Sequence, residues 1–244
     1  MAETDRSPRR KLHILQLLPN LVSIVALCAG ITAIRFAVEG RFGLAVALIV
    51  LAGALDGIDG RLARMLKSES AIGAEFDSLC DFVNFGVTPA LVLYFWGLQG
   101  DSNLGWIAVL VYAVCCMLRL ARFNVGTKEG VEKTAFVGVP SPAGAMLVLA
   151  PMYLTFMFDG TVRLPTEAVA LWMVAAGALM ISRIPTPSFK RVTVYAENAG
   201  FILVVGVALV AALVTYPWVT LLIADVVYLG AIVLMWRRAS HKTV

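Results

Sequence analysis

The sequence predicts an all-α polytopic transmembrane helical bundle of about eight spans with both termini cytoplasmic. Three observations predict it. Of the 244 residues, 60% are hydrophobic and 15% charged, and the mean hydropathy is +0.85. Ordinary soluble domains carry roughly 45–50% apolar and about 25% charged residues. Apolar stretches of about 20 residues, the length that crosses a bilayer, recur along the whole chain. The basic residues gather on alternate connections between them.

Taken in order, residues 1–16 form a basic cytoplasmic segment carrying Arg6, Arg9, Arg10 and Lys11. The apolar run behind it is long enough to span, and Leu27 is too bulky to precede a lipoprotein cleavage at Cys28, so an uncleaved first helix is expected. The spans run near 17–37, 42–62, 76–97, 104–124, 139–158, 167–185, 197–214 and 217–236. A core of 17–190 is followed by two further helices over 191–236, structural or part of a dimer contact, and a cytoplasmic tail over 237–244. Pro140 and Pro142 fit the opening or a kink of the fifth span.

Loop charge sets the orientation. With the N-terminus inside, the inner segments hold Arg6, Arg9, Arg10, Lys11, Arg61, Arg64, Lys67, Arg119, Arg122, Lys128, Lys133, Arg183, Lys190, Arg191, Arg237, Arg238 and Lys242. Only Arg35, Arg41 and Arg163 fall outside. That asymmetry is the positive-inside pattern.

The net charge of +4 therefore suits loops facing anionic lipid headgroups, and no basic patch interleaved with aromatics suggests nucleic acid. Cys28, Cys80, Cys115 and Cys116 lack metal or redox spacing and read as packing residues. His13 and His241 lie in the polar tails, which argues against a histidine-centred site.

The chemistry concentrates between Leu55 and Gly86. Asp56 and Asp59 are spaced i,i+3 and Asp77 and Asp81 i,i+4, so each pair shares one helix face. A carboxylate at membrane depth costs about 2.5–3.5 kcal/mol on insertion scales, so four need neutralising cations. Pairing with Arg61, Arg64 and Lys67 would neutralise them poorly. Oxygen-only ligands suit hard divalent ions, Mg²⁺ or Mn²⁺, and the spacing points to a two-metal site gripping a phosphate-bearing substrate. Gly57 and Gly60 would let a nucleotide lie against the backbone, Ala63 is small for the same reason, and Arg64 can reach diphosphate oxygens through its planar fork.

This stretch resembles the CDP-alcohol phosphotransferase family, whose signature D-x2-D-G-x2-A-R-x8-G-x3-D-x3-D is matched here by Asp56, Asp59, Gly60, Ala63, Arg64, Gly73, Asp77 and Asp81. The resemblance implies that Asp56, Asp59, Asp77 and Asp81 bind the metals and that Asp81 is also the general base. It implies that Gly57, Gly60, Ala63, Arg64 and Gly73 bind CDP-diacylglycerol, that CMP is released, that the membrane is the bacterial inner membrane with the site facing the cytoplasm, and that the protein is a homodimer.

Three patches further resemble the bacterial and archaeal branch whose acceptor is L-serine: residues 81–90, 119–125 and 136–142, with Leu18-Pro19-Asn20 similar to the family's first-helix opening. Arg119 and Arg122, three apart on one face, could clamp a carboxylate or a phosphate, and Asn84 and Asn124 could hydrogen-bond an amino acid. The same arginines would serve glycerol 3-phosphate or inositol phosphate, so those acceptors remain alternatives. A cation or proton transporter would also carry acids inside a helical bundle, but within spans along a through-path rather than near one membrane face.

Overall fold

The computed structural model describes residues 18–66, 70–100, 103–128, 136–162, 164–186 and 199–240. The basic N-terminal segment, Lys67, Lys133, Arg163, Lys190, Arg191, Glu197 and the last four residues lie outside the described residues. The described chain is helical apart from short connections and one two-residue strand pair.

Helix α1 (Leu18–Val38) and α2 (Phe42–Met65) form an antiparallel pair. Alanines 26, 29, 33 and 37 are buried on α1, and Ala45 and Ala52 on α2, so the two backbones approach closely, as small residues permit in membranes. The turn between them needs Gly40, whose φ of +75° lets its N–H reach the Ala37 carbonyl at 3.0 Å.

The third rod is a composite: α3 (Ala71–Asp81), a π-helical turn (Phe82–Val87), α4 (Thr88–Leu93) and a second π-helical turn (Tyr94–Leu98). Pro89 explains part of the irregularity, because it has no N–H to close a bond to the Phe85 carbonyl one turn earlier. Helix α5 (Leu104–Lys128) runs beside it and supplies the missing donor: the buried Tyr112 Oη lies 3.0 Å from the Phe85 carbonyl oxygen.

The predicted span 139–158 is broken into α6 (Ser141–Val148) and α7 (Ala150–Met157). Pro151 removes the donor for the Leu147 carbonyl, and Trp172 Nε1 from α8 (Thr166–Ile181) donates to it at 2.8 Å. Pro142 sits in the first turn of α6, as expected of an opening proline. Between α5 and α6, β1 (Phe136–Val137) pairs antiparallel with β2 (Pro185–Thr186), a feature hydropathy does not reveal. Gly138 follows with φ +82°, and a Cβ there would strike the Ser182 carbonyl, so only glycine fits.

Helix α9 (Ala199–Thr215) packs on α10 (Pro217–Ser240), which in turn packs on α7. Most of α9 is exposed apolar surface, a face that lipid would cover. Among the described residues five helical stretches are long and apolar enough to cross a membrane: Leu18–Val38, Phe42–Met65, Ile72–Leu98, Leu104–Gly126 and Pro217–Arg237. Thr166–Ile181 and Leu203–Thr215 are apolar but shorter. The core lies among α1, α2, the third rod, α5, α6, α7 and α8, with Ile49, Phe85, Tyr112, Leu147, Tyr153 and Met173 fully enclosed.

Candidate active site

Helix α2 runs on through Met65, so Asp56, Asp59, Gly60, Ala63 and Arg64 all lie on one helix rather than partly in a connection. Asp77 and Asp81 lie on α3, which begins where Ser70 caps it by accepting from the Gly73 N–H at 3.0 Å. Gly73 is closely packed there, since a Cβ would come 3.0 Å from Ser70 Oγ and 3.4 Å from Asn20 Oδ1 of α1.

Carboxylate oxygens of Asp56, Asp59 and Asp77 lie within 4.8 Å of one another. Asp81 lies within hydrogen-bonding reach of Asp56, so all four acids converge. Asp59 is 4% exposed and accepts a hydrogen bond from Ser23 Oγ of α1 at 2.6 Å. Among the described residues no Lys or Arg forms an ion pair with any of the four; the ion pairs present join Glu39 to Arg35 and Arg41. Arg61 and Arg64 are exposed.

Four carboxylates so close, partly buried and with no ion pair among the described residues, repel one another unless cations lie among them. The donors are all oxygen, and three are mutually near enough to share an ion. That set fits a hard divalent cation such as Mg²⁺ or Mn²⁺.

Gly57 and Gly60 face open space: a Cβ at either would meet nothing within 4 Å. The α2 backbone is thus bare beside the acids, and Arg64 lies one turn beyond Gly60. Beside the cluster, between α2, α3, α5 and the start of α6, a cavity of about 320 Å³ opens, at the small end for ligand sites. Asp56, Asp77 and Asp81 form one wall, and Arg119, Phe123 and Asn124 of α5 another, with Pro142 between.

Arg119 is held by a 2.9 Å hydrogen bond from Nη1 to Ser141 Oγ at the start of α6. Asn124 Nδ2 donates to Ser78 Oγ at 2.9 Å, which ties α5 to α3 across the cavity. Of the four acceptor-binding candidates, Arg119 and Asn124 therefore line this cavity and the other two do not. Arg122 is exposed and donates to the Ile181 carbonyl at 3.0 Å. Asn84 is 2% exposed and lies against Gly30 of α1, where an added Cβ would strike its Oδ1.

Three residues at the site escaped the sequence reading. Ser23 carries no local signal, because a membrane serine close to its target looks like any small residue, and Ser141 stood out only as part of the 136–142 patch, with no role of its own. Glu75 also lines the cavity. It stands at a position the motif leaves unspecified, and its position two residues before Asp77 was the only available hint.

Comparison with known proteins gives one answer from two directions. A family model described as CDP-alcohol phosphatidyltransferase matches residues 16–182. A protein of Mycobacterium leprae (strain TN) named CDP-diacylglycerol–serine O-phosphatidyltransferase is 41% identical over 230 residues, covering 93% of this chain and 76% of its own. Proteins of the same name from Helicobacter pylori (strain ATCC 700392 / 26695) and Methanocaldococcus jannaschii are each 35% identical. The first covers 73% of this chain and 75% of its own length, the second 72% and 76%.

Proposed function

Because this chain belongs to the CDP-alcohol phosphatidyltransferase family, we propose that it moves the phosphatidyl group of CDP-diacylglycerol to the hydroxyl of L-serine, giving phosphatidylserine and CMP. The relatives named for that reaction support the acceptor. One structural observation carries the site assignment: four acids from α2 and α3 converge with no ion pair among the described residues, and three of them, Asp56, Asp77 and Asp81, face a small cavity whose opposite wall holds Arg119.

Asp56, Asp59, Asp77 and Asp81 would hold two divalent ions, Mg²⁺ or Mn²⁺. Such ions, when bound, neutralise diphosphate oxygens and stabilise the leaving one. The nucleotide would lie along the bare face of α2 at Gly57, Gly60 and Ala63, with Arg64 reaching the diphosphate and Gly73 keeping the facing turn tight. The serine hydroxyl occupies the cavity. As its oxygen attacks the β-phosphorus, the P–O bond to CMP breaks, CMP keeps the bonding pair, and Asp81 accepts the hydroxyl proton. Asp81 is suited by position, since it lines the cavity and also touches the acid cluster. Arg119 would take the serine carboxylate and Asn124 would hydrogen-bond the acceptor, while Asn84 and Arg122 contribute by packing α1 and fastening the end of α8.

The chain would cross the bacterial inner membrane about eight times, α6 with α7 counting as one span, with both termini and the site on the cytoplasmic side; the charge asymmetry supports this. Residues 17–190 would form the catalytic core, with the helices of 191–236 added to it and exposed α9 available to a second copy in a homodimer.

The test is CMP release by purified protein with CDP-diacylglycerol and Mn²⁺ or Mg²⁺, each acceptor supplied alone. Serine-dependent release that Asp81→Asn abolishes is expected. Release only with glycerol 3-phosphate or inositol phosphate overturns the acceptor. No release from folded, metal-loaded protein with any alcohol overturns the enzyme and favours ion transport.

A further inference from the structure

The cavity beside the acid cluster carries more charge than the reaction chemistry uses. Four carboxylates line it: Asp56, Asp77, Asp81 and Glu75. The first three belong to the motif, whereas Glu75 occupies one of its free positions. Among the described residues Arg119 is the only basic one lining it. It is anchored through a neutral hydroxyl, that of Ser141, and among the described residues it forms no ion pair, so its charge is available to an anion.

Helical spacing orders these groups. Glu75, Ser78 and Asp81 follow at i,i+3 along one face of α3, which puts Glu75 about 9 Å from Asp81 along the axis. Across the cavity Asn124 meets Ser78. Arg119, five residues earlier on α5, lies toward the Asp81 end. The wall thus offers, in sequence, a base, a cation, a hydrogen-bonded amide–hydroxyl pair, and a carboxylate. A molecule complementary to that order has a hydroxyl near Asp81, an anionic group at Arg119 and a cationic group toward Glu75. A small zwitterionic amino alcohol acid has all three. A phosphorylated polyol has the first two but no cationic group to meet Glu75, and its phosphate brings a dianion into a cavity already lined by four carboxylates, where like charges disfavour binding.

We infer that Glu75 sets acceptor specificity, its carboxylate pairing with the ammonium group of an amino-acid acceptor and repelling acceptor phosphates. The inference rests on the serine reading above. It adds a determinant outside the motif that lies on the same helix as the proposed base.

The experiment uses the full chain, purified in detergent with Mn²⁺ and CDP-diacylglycerol, and follows CMP release. The acceptors are L-serine, glycerate (the same carboxylate and hydroxyl without the ammonium) and glycerol 3-phosphate. Wild-type protein is expected to prefer serine. Glu75→Gln is expected to raise the serine KM about tenfold or more with kcat within about twofold. Its kcat/KM ratio for serine over glycerate should fall by a similar factor, and glycerol 3-phosphate should become a better acceptor or a better inhibitor. Glu75→Asp, which keeps the charge, should retain most of the serine preference, and thermal unfolding of both variants monitors folding.

An unchanged serine KM and serine-to-glycerate ratio in Glu75→Gln overturns the inference. So does a fall in kcat with KM and ratio intact, the pattern of a structural role. If Glu75→Gln fails to fold, loss of the preference in folded Glu75→Asp supports no charge role and overturns it as well. Wild-type release with glycerol 3-phosphate but not serine defeats the serine reading itself, and that result comes from the unmutated protein, before any variant is measured.

Discussion

The Tyr112 hydroxyl of α5 donates to the Phe85 carbonyl across the helix interface at 3.0 Å, at the residue whose helical donor Pro89 cannot supply. Three residues before this bond stands Phe82, and before that Asp81, so the turn that carries the proposed base enters a π-helical segment pinned by α5. The same arrangement recurs at Pro151, where Trp172 Nε1 satisfies the Leu147 carbonyl. In a bilayer an orphaned carbonyl finds no water, so an aromatic donor from the neighbouring helix takes the place of the lost bond.

Tyr112→Phe keeps the ring and removes that donor. Leaving a buried carbonyl without a partner costs about 1–3 kcal/mol. We expect a lower thermal unfolding midpoint in detergent, with Trp172→Phe lowered comparably. Equal midpoints for wild type and Tyr112→Phe would show that the π-turn satisfies Phe85 by itself.

Ser23 is expected to act through metal affinity. Its hydroxyl orients Asp59, and losing such an orienting partner typically weakens metal binding by about 10–100-fold. In Ser23→Ala the Mn²⁺ concentration for half-maximal activity should rise accordingly, with the serine KM at saturating Mn²⁺ little changed. Chelation of wild-type protein should abolish CMP release, and Mn²⁺ or Mg²⁺ should restore it.

Arg119→Lys preserves a charge but not the planar fork that reaches both Ser141 and a carboxylate. The serine KM should rise about tenfold or more while the KM for CDP-diacylglycerol stays near wild type. A matching rise in both constants would place Arg119 on the diphosphate instead.

Gly30→Ala pushes a methyl group into the Asn84 side chain and to 3.4 Å from Thr88 Oγ1. Overpacking of this kind costs about 1–3 kcal/mol. The unfolding midpoint should drop, and combining the change with Asn84→Ala should recover much of the loss. If Asn84→Ala alone raises the serine KM without affecting stability, Asn84 belongs to the acceptor site after all.

Hydropathy and short-range spacing are local properties, and they were enough to locate the apolar helical stretches, the opening proline of α6 and the two acid pairs, but not the break between α6 and α7 or the π-helical turns of the third rod. They also placed Asp56 and Asp59 on one helix and Asp77 and Asp81 on another, because i,i+3 and i,i+4 neighbours must share a face. The sequence could not say which candidate polar groups meet. Asn84 and Asn124 are equally plausible as hydrogen-bonding residues, yet one is enclosed against Gly30 and the other lines the cavity. Arg119 and Arg122 are three residues apart, yet one turns to Ser141 and the other to Ile181. Ser23 is 36 residues from Asp59, and Asn124 is 46 from Ser78. Contacts at that separation depend on how small residues let α1 approach α2, and on where prolines bend the third and fifth rods. No window of local sequence contains both partners, so only the packed bundle decides them.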